Sequence, residues 1–138
     1  MKTLPTIEAV SSFLLEGGVK MIQEMAEEEL HQQLQDVKGA PLFVYLYTPF
    51  CGTCKLAHRL LEITATAIPQ ARIIASNLNY LPALAQAWKI TSVPALVVYG
   101  EKGVIAKYYA FHSVDYLFGL IQFHLQHVTT EEQDKQEK

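Results

Sequence analysis

Only two cysteines occur in the 138 residues, Cys51 and Cys54. A fold stapled by several disulfides is therefore excluded, and the chain has no second cysteine pair with which to close a structural zinc site. Basic charge is also scarce, with 11 Lys and Arg against 14 Asp and Glu and a net charge of −3. Nucleic acid calls for a basic face and anionic lipid for a cluster of cations, so neither is an expected partner. No stretch approaches the ~20 continuous apolar residues of a membrane span. Near the N-terminus Glu8 and Glu16 interrupt the apolar residues that follow Lys2, so no secretory signal is expected and the expected compartment is cytoplasmic. No glycine-rich nucleotide or flavin signature appears either, so no bound cofactor is expected.

Half of the residues are hydrophobic, enough at this length for one domain with one core. The chain is organised around Phe50-Cys51-Gly52-Thr53-Cys54-Lys55. An apolar, β-prone run at residues 41–47 precedes it and a helix-prone run at residues 55–63 follows. A strand therefore delivers the two cysteines to the first turn of a helix, where free N–H groups and the positive end of the helix dipole favour an anion. A cysteine thiolate is such an anion, and its pKa falls from ~8.5 into a range of roughly 3.5–7.5 in such settings. Thiol–disulfide exchange is the chemistry this arrangement suggests.

Around that centre the periodicity predicts the remaining elements. Residues 1–18 carry Ile7, Val10, Phe13 and Leu14 at helical spacing before Gly17-Gly18, which fits either a short helix or a frayed leader. Residues 19–25 suggest a short strand and residues 26–38 a helix with an apolar ridge of Met25, Leu30 and Leu34 beside a glutamate-rich face. Residues 42–47 are continuously apolar, as a central strand buried on both faces would be. The active helix is expected over residues 51–67, with Leu56, Leu60, Leu61, Ile63 and Thr64 available to the core and Pro69 ending it. A strand at 71–77 follows, then a helix at 80–88 capped by Asn79 with Pro82 in its first turn. Strands at 95–99 and 104–110 flank Gly100-Glu101-Lys102-Gly103, a hairpin signal. Ser113 is expected to cap a last helix whose apolar face holds Val114, Leu117, Phe118, Ile121 and Leu125. Residues 129–138 are polar and are expected to be a disordered tail. The order β-α-β-α-β-α-β-β-α gives an α/β fold with a mixed central sheet covered by helices on both faces.

Tyr47-Thr48-Pro49-Phe50-Cys51-Gly52-Thr53-Cys54-Lys55 after the central strand, Val93-Pro94 before the hairpin and the element order together resemble the thioredoxin family. The resemblance covers residues 19–128. It implies that Cys51 is the exposed attacking thiol, Cys54 the buried resolving one, and Pro94 a cis-proline packed against the disulfide. It places Val93 in a groove for an extended substrate segment, with Gly52 and Thr53 beside it and Tyr47, Phe50 and Ala110 at the rim. It also implies disulfide-containing protein substrates, an external reductase or small-thiol electron donor, and no cofactor; a monomer is expected.

Several positions depart from the family pattern. Thr53 replaces the usual second spacer proline, which points to a more oxidising potential than that of ordinary thioredoxin. Phe50 and Tyr47 stand where tryptophans are usual, and Arg59 where a proline commonly kinks the helix. Tyr45 occupies the place of a buried aspartate that helps deprotonate the resolving cysteine, and Ala75 that of its accompanying lysine. A tyrosine, with its unperturbed pKa near ~10, is a poor base at neutral pH, so slow resolution is expected.

The same residues are open to other chemistry. A metal site would need ligands beyond Cys51 and Cys54, and His124 and His127, three apart, lie on the last helix with no topological reason to approach the motif. An iron–sulfur cluster would need thiols from outside the chain. His58, one turn after Cys54, either tunes the thiol or is an ordinary polar helix residue. Lys55 reads as a solvated lysine and Trp88 as a core or groove-edge aromatic. Two functions remain in view: a protein thiol–disulfide oxidoreductase, and a thioredoxin-like adaptor or redox sensor with little general reductase activity.

Overall fold

A computed structural model describes the backbone of residues 21–137 and the side chains as far as His127. The expectations for residues 1–18 lie outside the described residues. The elements are β1 (Gln23–Glu24), α1 (Glu27–Gln35), β2 (Leu42–Tyr47), α2 (Gly52–Ala67), β3 (Arg72–Asn77), α3 (Pro82–Ala87), β4 (Ala95–Gly100), β5 (Gly103–Tyr108) and α4 (Val114–Glu137). Their succession is the one the periodicity predicts. The five strands form one sheet in the order β1-β3-β2-β4-β5. β1, β3 and β2 run parallel, and β4 and β5 are antiparallel to their neighbours.

β2 lies at the centre of the sheet. Phe43 and Tyr45 point to one face, where they meet Ala57 and Leu61 of α2 and Leu117 and Ile121 of α4. Leu42, Val44 and Leu46 point to the other, where they meet Leu30 of α1 and Leu84 of α3. Residues 42–46 are all buried, so the unbroken apolar run reflects a strand covered on both sides.

The differences from expectation lie at element ends and on helix faces. β1 is only two residues long, because Ala26 and three glutamates begin a helix directly after it. The strand is tied down at its end: Met25 donates its N–H to the Ala75 carbonyl at 2.8 Å, and the Ser76 hydroxyl donates to the Met25 carbonyl at 2.6 Å. α1 closes at Asp36, short of residue 38, which frees Val37 to turn into the core. On α2, Leu56 is 63% exposed and Ile63 also faces outward, while Ala57, Leu61, Thr64 and Ala65 take the inner face.

Asn77, not Asn79, supplies the cap after β3: its side-chain oxygen accepts from the Asn79 N–H at 2.9 Å and starts a 3-10 turn over Leu78–Tyr80. α3 then begins with Pro82 as its first residue. The hairpin pairs Gly100 with Gly103, the latter at φ +120°, which a side chain would strain. Its Glu101 accepts the Gly39 N–H at 2.6 Å, fastening the loop before β2. β5 stops at Tyr108 rather than at residue 110.

In α4, Leu117, Leu120 and Ile121 are buried and Phe118 is turned outward. The helix continues to Glu137, through residues 129–137 of the stretch expected to be a disordered tail. Residues 129–137 hold no glycine or proline and are rich in Glu and Gln, which carry little helix penalty. Ser113 caps α4 as expected, its hydroxyl oxygen accepting from the Tyr116 N–H at 3.1 Å. Replacing Ser113 by alanine should cost about 1 kcal/mol in urea unfolding, with an unchanged m-value.

Candidate active site

The two cysteines sit where β2 hands the chain to α2. Cys51 has an extended backbone and is the N-cap of the helix. Its N–H reaches the Thr48 carbonyl at 3.3 Å, which closes the turn. Its sulfur accepts the N–H of Cys54 at 3.1 Å and lies 3.3 Å from the Thr53 hydroxyl. No acidic residue occupies the first turn of α2. A negative charge on Cys51 Sγ therefore faces backbone and hydroxyl donors and the positive end of the helix, as a stabilised thiolate requires.

Cys51 and Cys54 are joined by a disulfide, with Cα atoms 5.2 Å apart. Cys51 is partly exposed, whereas Cys54 is 3% exposed. The Val93–Pro94 peptide is cis, and the Val93 carbonyl oxygen is 3.9 Å from Cys51 Sγ.

Each side of the disulfide has its own depression. One, about 340 Å³, is lined by Val93 and Pro94 together with Thr53, Leu56, Phe111 and His112. The other, about 360 Å³, is lined by both cysteines, Glu24, Tyr45, Tyr47 and His58, with Thr48, Pro49 and Lys55 at its edge. Thr53, Val93 and Pro94 thus line one depression together, and Gly52 is exposed at the helix start. Phe50 is 98% exposed next to Cys51. Tyr47, Phe50, Gly52 and Ala110 are not among the residues that line the Val93–Pro94 groove. Tyr47 lines the second depression, not the Val93–Pro94 groove, because it ends β2 pointing towards β1. Ala110 is exposed but is not among the groove-lining residues, since β5 has already ended and Tyr109, Phe111 and His112 form that wall.

Tyr45 is fully buried beneath the motif. Its hydroxyl donates to the Cys54 carbonyl at 2.6 Å, so the side chain fixes the first turn of α2. Burial, then the neighbouring Tyr47 and Glu24, push its pKa well above the ordinary value. Tyr47 stacks on it at 5.7 Å and donates its own hydroxyl to Glu24 at 2.7 Å. Burial and that hydrogen bond push Tyr47 up to about 12. Neither hydroxyl can serve as a base near neutrality. Ala75 lies opposite Tyr45 on β3 and is buried.

His58 is half-buried, with its ring edge-on to Tyr45 at 5.5 Å and Nε2 3.2 Å from Glu62. Trp88 stacks on Tyr99 at 5.4 Å against the other face of the sheet. His124 is buried with Nε2 2.7 Å from the Tyr108 hydroxyl, and His127 Nδ1 is 2.8 Å from the Phe123 carbonyl. Among the described residues no group of three or more His, Cys, Asp or Glu could hold a metal ion, and no helix is long and apolar enough to cross a membrane.

Comparison with known proteins agrees with this geometry. The thioredoxin family model matches residues 21–122. The chain is 40% identical over 101 residues to the thioredoxin-like protein YusE of Bacillus subtilis, covering 73% of this chain and 92% of that one. It is 21% identical to a Chlamydia trachomatis thioredoxin over 75% of this chain and 99% of that protein. Among solved structures, thioredoxin f2 of Chlamydomonas reinhardtii superposes with a TM-score of 0.66 at 23% identity, covering 75% of this chain and 95% of that one. A Halobacterium salinarum thioredoxin variant superposes with a TM-score of 0.64 at 20% identity, covering 78% of this chain and 92% of that one. The chain has a thioredoxin fold with a redox-capable Cys-x-x-Cys pair. It belongs to the thioredoxin family, whose members are thiol–disulfide oxidoreductases that act on disulfide substrates.

Proposed function

We propose that the protein is a cytoplasmic thiol–disulfide oxidoreductase that exchanges the Cys51–Cys54 disulfide with partner proteins through a mixed disulfide. The observation that carries this reading is the asymmetry of the pair: an accessible sulfur at a helix N-cap beside Val93, and a buried sulfur one turn deeper. Cys51 thiolate attacks a partner disulfide and forms the mixed disulfide. Cys54 then attacks Cys51, regenerating the intramolecular bond and releasing the reduced partner. The Val93–Pro94 groove receives an extended segment of the partner, with exposed Leu56 and Phe50 offering apolar contact. A reductase or small thiol returns the pair to the dithiol, and the protein acts as a monomer.

The test is the redox equilibrium of Cys51 and Cys54, measured by acid quenching and mass-tag alkylation over graded mixtures of oxidised and reduced dithiothreitol or glutathione. Both thiols should change together in one two-electron step. A midpoint near or below the cytosolic glutathione poise of roughly −220 to −320 mV supports a reductase, and a much higher one an oxidant, isomerase or sensor. Absence of an intramolecular disulfide at every poise sinks the proposal.

One observation favours a second reading, an adaptor or sensor: Tyr45, beneath Cys54, is committed to the Cys54 carbonyl and cannot take a proton. Stable partners captured by the reduced wild-type protein would point to the adaptor. Partners captured only by Cys54→Ser would point to the oxidoreductase.

A further inference from the structure

Resolution of a mixed disulfide requires Cys54, itself only 3% exposed, to give up a proton. The acceptor must face the same space as its sulfur. The depression of about 360 Å³ behind the disulfide holds Cys54 together with Glu24 from β1, Tyr45 and Tyr47 from β2, and Lys55 and His58 from α2. Both tyrosines are held protonated by burial and by their neighbours. Lys55 is exposed and, as an ammonium, offers donors and no acceptor. Glu24 already accepts the Tyr47 hydroxyl at 2.7 Å and reaches the depression from β1, at the far strand edge of the sheet, not from the helix that carries Cys54.

His58 remains. It lies four residues after Cys54 in α2, on the same helical face. Its Nε2 is 3.2 Å from the Glu62 carboxylate, which is itself nearly buried and has Arg59 3.9 Å away on its other oxygen. With Nε2 directed at a carboxylate oxygen, the neutral tautomer that suits this contact carries its hydrogen on Nε2 and keeps its lone pair on Nδ1. The edge-on contact with Tyr45 fixes the ring plane against the base of the site.

We infer that His58, oriented by Glu62, is the proton acceptor for Cys54 in the resolving step, in place of a carboxylate beneath the motif. This rests on the two-cysteine exchange proposed above. The Cys54 thiol transfers its proton to His58 Nδ1, directly or through water in the depression. The Cys54 thiolate forms a bond to Cys51 Sγ as the bond from Cys51 to the partner sulfur breaks. The electron pair leaves with the partner thiolate, which takes its proton from the imidazolium or from solvent. Cys51 and Cys54 are oxidised to a disulfide, and the partner disulfide is reduced to two thiols. Glu62 is a positioning residue.

The test follows reaction of the reduced full-length protein with 5,5′-dithiobis(2-nitrobenzoic acid) by stopped flow from pH 5 to 9. The first nitrothiobenzoate released reports attack by Cys51, and the second reports attack by Cys54. The leaving thiol is acidic and a poor base, so it does not mask an internal acceptor. In His58→Gln the second phase should slow at least tenfold at pH 7, with the gap closing towards pH 9 as the thiol ionises unaided. Glutamine retains a donor for Glu62, and an unchanged first phase shows that the fold and Cys51 are intact. Glu62→Gln should slow the second phase about threefold with the same shift in profile, and Glu24→Gln should slow it less than His58→Gln does. An equal second phase and profile in wild type and His58→Gln overturns the inference, as does a loss in Glu24→Gln as large as that in His58→Gln. A wild-type protein that never releases the second nitrothiobenzoate refutes the two-cysteine exchange itself, whatever His58 does.

Discussion

Replacing Cys54 by serine should turn the protein into a covalent trap. With a protein disulfide as substrate, multiple turnover is expected to fall at least 10³-fold while partners accumulate on Cys51 as mixed disulfides, visible as higher-mass bands that dithiothreitol removes. Well-oriented intramolecular groups reach effective molarities of roughly 10⁵–10⁸ M, whereas a competing free thiol in solution is at millimolar concentration. Cys54, one turn from Cys51 and buried against it, has that advantage, and serine has no comparable nucleophilicity. Serine is smaller than cysteine and leaves the helix start intact, so Cys51 should still attack at close to its normal rate. Cys51→Ser, by contrast, should neither turn over nor trap. A Cys54→Ser protein that turns over a protein disulfide at the wild-type rate would mean that resolution comes from outside, and the two-cysteine exchange would be wrong.

The parts of this site that are legible in the sequence are those set by local chemistry. Cys51 at a helix start follows from a β-prone run before it and a helix-prone run after it. The burial of β2 follows from an apolar run without alternation, and the hairpin from glycines at its two ends. What the sequence leaves ambiguous depends on rotation or reach. Leu56 and Ala57 are adjacent, and the helical period alone does not decide which faces the core; the larger one faces the groove and the smaller fits against the sheet. Asn77 and Asn79 are both capable caps, and the end of β3 decides between them. Tyr47 sits one residue past the buried part of β2, where pairing with Glu24 of the short β1 draws it away from the groove. Glu24 carries no motif signal, because only the parallel register of β1 on β3 brings it near the cysteines. His58 is ambiguous for the opposite reason: a histidine one turn after a cysteine is common on any helix, and its significance rests on Glu62 and Tyr45 around it.

Tyr45 shows how the same side chain supports the core and the site, and its removal should have the largest effect on stability. Its ring is fully buried between β2 and α2 and meets Tyr47, His58 and Phe111 at 5.5–5.8 Å. Tyr45→Ala should destabilise the fold by about 4 kcal/mol, the usual cost of cutting a large aromatic out of a core. For a domain of this size that lowers Tm by roughly 10–25 °C, readable in a thermal melt of the oxidised protein. Tyr45→Phe keeps the ring and loses only the hydroxyl. The Cys54 carbonyl can still accept the helix N–H four residues on, so the expected cost is about 1 kcal/mol. Tyr45 has a raised pKa in the folded state, so the stability its proton contributes is complete below its ordinary value of 10.0 and declines as pH rises above it. Alkaline unfolding should therefore be less steep in Tyr45→Phe than in wild type. Because the hydroxyl is a donor to the backbone and not a base, Tyr45→Phe should resolve mixed disulfides within a few-fold of the wild-type rate at pH 7. A resolving step at least a hundredfold slower in Tyr45→Phe, with the thermal melt little changed, would show that the hydroxyl handles the proton after all and would remove the ground for assigning that task to His58.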